Sequence, residues 1–248
     1  YDLAINLRNR GDDGHAEDLS WPITVVGINE LDIKRYGWPL DDAYLCKALQ
    51  QLDALGASAI GLDLYRDQAK PCLQSEIRRN PRLISIRNEV DGIAAIPGAP
   101  DQQQAFNDLV TDADRVVRRD LMHVGGQEEA QRSLPLRLLE TASQNRNLHR
   151  QLEQLKEHHW LTEQSGGYEN LDAAGYQTML PVYPPGRYPI LDLAALLEGE
   201  VREEMIRGRV VLIGSVAPSL RDLFEIPHSR FLSGSQFFAV AGVELHAQ

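Results

Sequence analysis

The sequence predicts an α/β fold: a single domain with a mostly parallel, mixed β-sheet and helices on both faces. Three observations carry this. Ile23-Thr24-Val25-Val26-Gly27-Ile28, Ala59-Ile60-Gly61-Leu62-Asp63-Leu64 and Val210-Val211-Leu212-Ile213 are near-continuous apolar runs, the pattern of strands buried on both faces. A helical segment with short joints separates the first two, which makes a βαβ unit with parallel strands and a right-handed crossover. The alternation of elements continues to the end of the chain, and no linker divides it.

The elements follow in order. Residues 1–20 are polar, with Arg8-Asn9-Arg10-Gly11-Asp12-Asp13-Gly14, and read as a flexible lead-in to a domain over 21–248. After the first strand comes a turn through Gly37-Trp38-Pro39. Asp41 or Asp42 is placed to cap a helix in which Leu45, Ala48, Leu49, Leu52 and Leu55 recur at helical spacing, and Gly56 ends it. Asn80-Pro81 opens a third short strand, Leu83-Ile84-Ser85-Ile86. Ile93 to Gln104 is rich in Pro, Gly and Gln and reads as a surface loop. Val116-Val117 to Val124 reads as a strand of antiparallel type. Leu134 to about Leu155 reads as a helix carrying a stripe of Leu148, Leu152 and Leu155, broken by Ser165-Gly166-Gly167. Met179 to Val182 is extended, and Pro184-Pro185-Gly186 is a turn. Leu191 to Glu198 is a helix stopped by Gly199, and Glu203 to Arg207 a shorter one stopped by Gly208.

The chain has 248 residues, 43% of them hydrophobic and 25% charged, enough to bury a core without metal or disulfide staples. Lys and Arg number 25 against 36 Asp and Glu, a net charge of −11. An acidic chain lacks the basic footprint that nucleic acid or anionic lipid demands. No apolar run is long enough for a membrane span. Residue 1 is Tyr, so the chain reads as a fragment or a processed product. Absent targeting segments then say nothing of location. Two cysteines, Cys46 and Cys72, exclude a disulfide scaffold and a cysteine-rich zinc site. Two free thiols are the expected state, with a single bridge as the alternative in an oxidising compartment.

Motifs for chemistry are sparse. Neither a G-x-G-x-x-G nor a Walker-type loop occurs. His158 and His159 are adjacent, so on a helix they point about 100° apart and do not converge on one metal. Ser215 follows a buried strand, but Ile213 and Ala217 stand where a nucleophile elbow needs glycines. The acids at strand ends are more informative. Asn29 and Glu30 follow the first strand, Asp63 and Asp67 lie at and beyond the second, and Asp222 follows the last. Ligands of open parallel sheets bind at these carboxyl ends. Paired carboxylates there could hold a divalent ion or do acid–base work, although a structural role, capping a turn or pairing with an arginine, is expected first. Arg115, Arg118 and Arg119 are clustered, and the Arg118-Arg119 pair is expected to be a solvated charge run. On a strand Arg118 and Arg119 face opposite sides, so one of them could turn inward.

Taken together, Val25 to Glu30, Gly37-Trp38-Pro39 and Leu55 to Asp63 resemble the start of a second-type CHASE domain (cyclases/histidine kinases associated sensory extracellular). The resemblance continues through Asp112-Ala113-Asp114-Arg115-Val116-Val117-Arg118-Arg119, Arg209 to Gly214 and Ala217-Pro218-Ser219-Leu220-Arg221-Asp222-Leu223-Phe224. It closes with Gly242-Val243-Glu244-Leu245-His246-Ala247 and spans about residues 21 to 247. Three positions depart from the family pattern. Leu40-Asp41-Asp42 stands where a further Trp-Pro-Arg often follows. Arg115 stands where Gly is usual, and Ala241 where Pro often precedes the Gly-Val-Glu motif.

The resemblance implies an extracytoplasmic sensor domain of a bacterial transmembrane receptor. Flanking membrane segments would connect it to a cytoplasmic nucleotide cyclase, histidine kinase, diguanylate cyclase or Ser/Thr kinase. The expected partners are a small-molecule or protein signal and, in the full receptor, a second copy. Neither cofactor nor metal is expected, nor a catalytic set in this domain. The candidate ligand site, drawn from strand-end geometry, is Asn29, Glu30, Asp63, Arg118, Ser215 and Asp222. The alternatives are a hydrolase using strand-end carboxylates, and a non-binding assembly domain paired through the Leu148, Leu152 and Leu155 stripe.

Overall fold

A strand buried on both faces needs neighbours on both edges, and the apolar runs supply them for one another. In the computed structural model the described residues are 23–88, 91–124, 131–143, 176–179, 188–227 and 230–233. Six strands form one sheet: β1 (Ile23–Ile28), β2 (Ala59–Asp63), β3 (Leu83–Arg87), β4 (Gln104–Phe106), β9 (Ile190–Asp192) and β10 (Val210–Ser215). Their order is β4-β3-β2-β10-β1-β9, and every pair is parallel. Every residue of β1, β2 and β10 is buried.

The direction of travel across this sheet decides where its helices lie. From β1 the chain moves toward β2, β3 and β4. It then returns to the far edge at β9 and moves back in the first direction to β10, which fills the slot between β1 and β2. Right-handed crossovers put helices of the two equal-direction passes on one face and the return pass on the other. One core accordingly joins α2 (Asp42–Ala54), α3 (Pro71–Arg79) and α5 (Leu193–Glu198) to Val26, Ile28, Ile60, Leu62, Val211 and Ile213, with Ile33 and Tyr36 of α1 (Glu30–Tyr36) packed against it. The opposite core joins α4 (Leu134–Ala142) to Val25, Ala59, Ile84 and Leu212, the alternate residues of the same strands.

The antiparallel strands do not enter this sheet. β6 (Val117–Val124) pairs in antiparallel fashion with β5 (Val110–Thr111), β7 (Gln131–Arg132) and β8 (Tyr176–Met179) in a sheet of their own. β11 (Leu223–Ile226) and β12 (Arg230–Ser233) form a separate antiparallel pair, joined to the start of β6 by a bridge between Val116 and Glu225. The strand expected over Val116–Val124 is therefore present, while mixing occurs between sheets and not within one.

Several local expectations are corrected. α1 stands where only a turn was expected. It is held by a capping box in which Asn29 Oδ1 accepts from the Leu31 and Asp32 amides and Asp32 Oδ2 accepts from the Asn29 amide. α3 was not expected either, although Pro71 in its first turn and Arg78 and Arg79 in its last fit both helix ends. Of the two capping candidates it is Asp41 that caps α2, while Asp42 Oδ2 accepts from the Lys70 amide at 2.6 Å. α4 stops at Ala142, because Ser143 takes an extended conformation (ψ 106°). Leu191 belongs to β9, and helix begins at Leu193. The 93–104 loop is partly interior: Ile96 is buried. Nε2 of buried Gln103 shares its two hydrogens among the carbonyls of Ile77, Asn80 and Leu83, at 2.9, 2.8 and 2.8 Å.

The expectation of two free thiols is also overturned. Cys46 of α2 and Cys72 of α3 form a disulfide, with Cα atoms 6.3 Å apart. The two helices pack side by side on one face of the sheet, which brings the thiols within reach of each other. The lead-in over 1–20, the Leu148, Leu152 and Leu155 stripe, His158, His159, the Ser165 break, the Pro184 turn and the 242–247 motif lie outside the described residues.

Candidate functional site

The carboxyl ends of the parallel strands carry two separate polar groups. The first spans β2, β3 and β4. β2 ends on Asp63, and Tyr65 follows it with its ring half-buried against the α4-side core. β3 ends at Arg87, and the next residue, Asn88, closes a turn by exchanging two backbone hydrogen bonds with Ile93. β4 ends at Phe106, a fully buried anchor that places Asn107 at the rim.

These four side chains form one directed chain of hydrogen bonds. Asn88 Oδ1 accepts from the Asp91 amide at 2.8 Å, which fixes its flip. Its Nδ2 donates to Tyr65 Oη at 3.2 Å. The phenol donates to Asn107 Oδ1 at 2.7 Å, and Asn107 Nδ2 donates to Asp63 Oδ1 at 3.1 Å. The ionised carboxylate has only acceptors, so it sets the direction of the whole series, and each bond polarises the next. Burial raises the Tyr65 phenol above its ordinary value and outweighs the opposing bonds from Asn88 and Asn107. Arg66, just beyond, pins the neighbouring loop by donating to the Leu40 carbonyl at 3.1 Å and lying 3.3 Å from Asp42.

The second group spans β1, β9 and β10 and is occupied by structural contacts. Asn29 caps α1, and its Nδ2 donates to Asp192 Oδ1 at 2.8 Å. Asp32 ties α1 to α5 by accepting from the Ala194 amide at 3.2 Å. Its carboxyl is raised, chiefly by burial, against the pull of the Asn29 and Ala194 amides. Glu30 is exposed and accepts from both the amide and the hydroxyl of Ser219, at 2.8 and 3.0 Å. Ser215 is buried at the end of β10 and accepts from the Ala217 amide at 3.3 Å. Asp222 lies half-buried just before β11.

Arg118 lies apart from both groups, on β6. Its guanidinium is bound by Asp112 and Asp114 at 2.8 Å each, which holds Asp114 below the usual carboxylate range. Arg119, on the other side of the strand, is buried, with Asp112 Oδ1 at 2.7 Å from Nη2 and a further bond to Gln177 Oε1. The run expected to be solvated is thus a paired cluster. The arginine that turns inward meets a carboxylate of the β5–β6 turn.

Of the six candidate residues, Asn29 and Glu30 share one polar group and Asp63 belongs to the other. Tyr65, Asn88 and Asn107 are new. The rule that finds Asp63 also reaches Asn88, one residue past the apolar run Leu83–Ile86 and Arg87. Asn107 escapes it because β4 is only three residues long. Chemically, the network offers amide, phenol and carboxylate groups suited to binding a polar molecule. Among the described residues no three His, Cys, Asp or Glu side chains are grouped to hold a metal.

The CHASE2 domain model matches residues 1–248, the whole chain. No curated protein and no solved structure matches it.

Proposed function

The chain belongs to the CHASE2 domain family, a family of extracytoplasmic sensor domains, and from that premise we propose that it is the periplasmic sensor and ligand-binding domain of a bacterial transmembrane receptor. It passes a signal through membrane helices to a cytoplasmic output module: a nucleotide cyclase, a histidine kinase, a diguanylate cyclase or a Ser/Thr kinase. The observation that carries this reading is the family match along the entire chain. The Cys46–Cys72 bridge supports it, because such bonds persist in oxidising compartments. Among the described residues no helix is long and apolar enough to cross a membrane, so the reading places the membrane segments in flanking sequence. Two receptor chains side by side would give the paired membrane helices a common two-state response.

The Asp63–Asn107–Tyr65–Asn88 network is the binding site of this reading. A ligand shifts a two-state receptor only if it binds the two states differently, and a directed network offers that difference. It reorients when its terminal acceptor is engaged. The test begins with the parental reading frame. An apolar span before residue 1, with further spans and an output module after residue 248, is the expected result. A free-standing reading frame with no span overturns the receptor reading. In the intact receptor, Asp63→Ala at unchanged stability is expected to alter output, and unchanged signalling removes Asp63 from the site.

A further inference from the structure

β6 is the hub of the antiparallel sheet, and its Asp120 is the most unusual side chain among the described residues. It is 1% exposed, and neither carboxylate oxygen has a hydrogen-bond partner. A buried polar group without a partner is rare in folded proteins and calls for an explanation. Ionised, such a group is heavily penalised. Protonated, it is a small neutral side chain.

Among the described residues no charged neighbour relieves it. The residue opposite on β8 is Thr178, and Gln177 and Met179 beside it carry no charge. On β5, Val110 and Thr111 are uncharged. On β6 itself, Arg118 lies two residues away, but its guanidinium is bound by Asp112 and Asp114. Arg119 projects to the other side of the strand, where it is bound by Asp112, while the register shift between Leu121 and His123 puts the buried His123 on the Asp120 side, three residues along. Tyr176 of β8 pairs with His123, not with Asp120. Arg132 of β7 pairs with Glu140 at 2.6 Å, and Glu225 of β11 is bridged to Val116 at the far end of the strand. Burial pushes the Asp120 carboxyl up to about 7, and the adjacent Leu121 backbone N–H, too poorly placed for a hydrogen bond, opposes it only weakly.

We propose that Asp120 is a proton switch, neutral while the antiparallel sheet is closed, and that loss of its proton to bulk water loosens the pairing of β6 with β8. The ionised carboxylate must find water or a cation, and opening this ladder supplies both. β6 also pairs with β5 and β7 and touches β11, so the change spreads to the Arg118–Asp112 turn and the β11–β12 pair. The inference goes beyond the sensor reading by naming the proton as a stimulus. A periplasmic domain is exposed to external pH, and a carboxyl poised near neutrality responds within that range.

The test is made on this chain, so it can fail while the receptor reading stands, and the reverse. Asp-selective ¹³C labelling follows every Asp carboxyl from pH 5 to pH 9. One resonance titrating near neutrality, and missing from Asp120→Asn, is expected. Hydrogen exchange, corrected for intrinsic rates, reads the β6 and β8 amides. Wild type is expected to lose protection roughly tenfold between pH 6 and pH 8, and Asp120→Asn to lose none. Should Asp120→Asn not fold, Asp120→Ser takes its place, and the wild-type titration and exchange need no variant. The proposal is overturned if no Asp carboxyl titrates between pH 6 and pH 8. It is equally overturned if that resonance survives the substitution, or if β6 and β8 keep their protection through the titration.

Discussion

Asn107 and Asp63 are joined by a 3.1 Å hydrogen bond that ties the end of β4 to the end of β2, across the end of β3 between them. Tyr65 and Asn88 complete the link, so three strand ends share one network. Tyr65→Phe removes the hydroxyl and leaves both neighbouring amides short of a partner, which costs about 1 kcal/mol. Asn107→Ala breaks two bonds at once and costs about 1–3 kcal/mol. Urea denaturation of both variants and their double mutant measures the coupling. An additive double mutant means that the bonds act independently, contrary to a cooperative series.

The Cys46–Cys72 bond closes a loop with a sequence separation of 26 between two helices that share a core. In the chain-entropy picture a loop of that length contributes about 3.5 kcal/mol. Cys46→Ser with Cys72→Ser is expected to lower unfolding free energy by about that amount, and reduction of wild type to do the same. Guanidinium titrations with and without reductant check it, and non-reducing peptide mass spectrometry identifies the bridge directly.

Arg115 holds a left-handed conformation, φ 67°, in the turn that joins β5 to β6. That region costs a non-glycine residue about 1–2 kcal/mol, and glycine avoids this at an entropic cost of roughly 0.5–1 kcal/mol. Glycine is therefore the sterically favoured residue at this position. Arg115→Gly is expected to stabilise by about 0.5 kcal/mol, and Arg115→Val to destabilise. Thermal melts of the two variants, shifting in opposite directions, are the check.

Gly27 is the penultimate residue of β1, where a Cβ would come within 2.6 Å of Val216 Cγ2 and 3.1 Å of its Cγ1. Val216 is β-branched and has few rotamers to escape into. Gly27→Ala is expected to cost about 1–3 kcal/mol by overpacking. The companion change Val216→Ala in the same chain should recover most of that loss in a urea titration.

The sequence patterns that proved legible are those with long, one-sided causes. β1, β2 and β10 announce themselves because burial on both faces leaves no polar interruption. α2 does so because Leu45, Ala48, Leu49 and Leu52 share one buried stripe. α1 is hidden by the opposite situation. Leu31 is 75% exposed and only Ile33 and Tyr36 reach the core, a stripe too short to read against it, so the Asn29–Asp32 capping box is what betrays it. The disulfide depends on the packing of α2 against α3, which no local pattern reports. At the site, Asp63 follows from strand-end geometry alone. Tyr65 and Asn107 become visible only when β4 is seen beside β3. Asp120 is invisible in sequence because Arg118-Arg119-Asp120 looks like a solvated charge run.

The pH dependence of stability is set by two opposed sets of carboxyls. Asp41 and Asp114 are lowered by Lys70 and Arg118. Each therefore contributes stability present above the ordinary carboxylate range and lost on acidification, though both are exposed and solvent screens the effect. Asp120, and in the same direction Asp32, are raised by burial. Between their ordinary and raised values the folded state holds protons that the unfolded chain has released, so stability falls as pH rises. For Asp120 that window runs from 3.8 to about 7, and above it the loss is complete. Stability is therefore expected to peak in mild acid and decline toward neutrality. Asp120→Asn should gain on the order of a few kcal/mol at pH 8, and the gain should shrink toward zero near pH 4. Urea titrations of wild type and variant at half-unit pH steps measure the difference. A gain that is constant with pH would show that the substitution acts through packing and not through the proton.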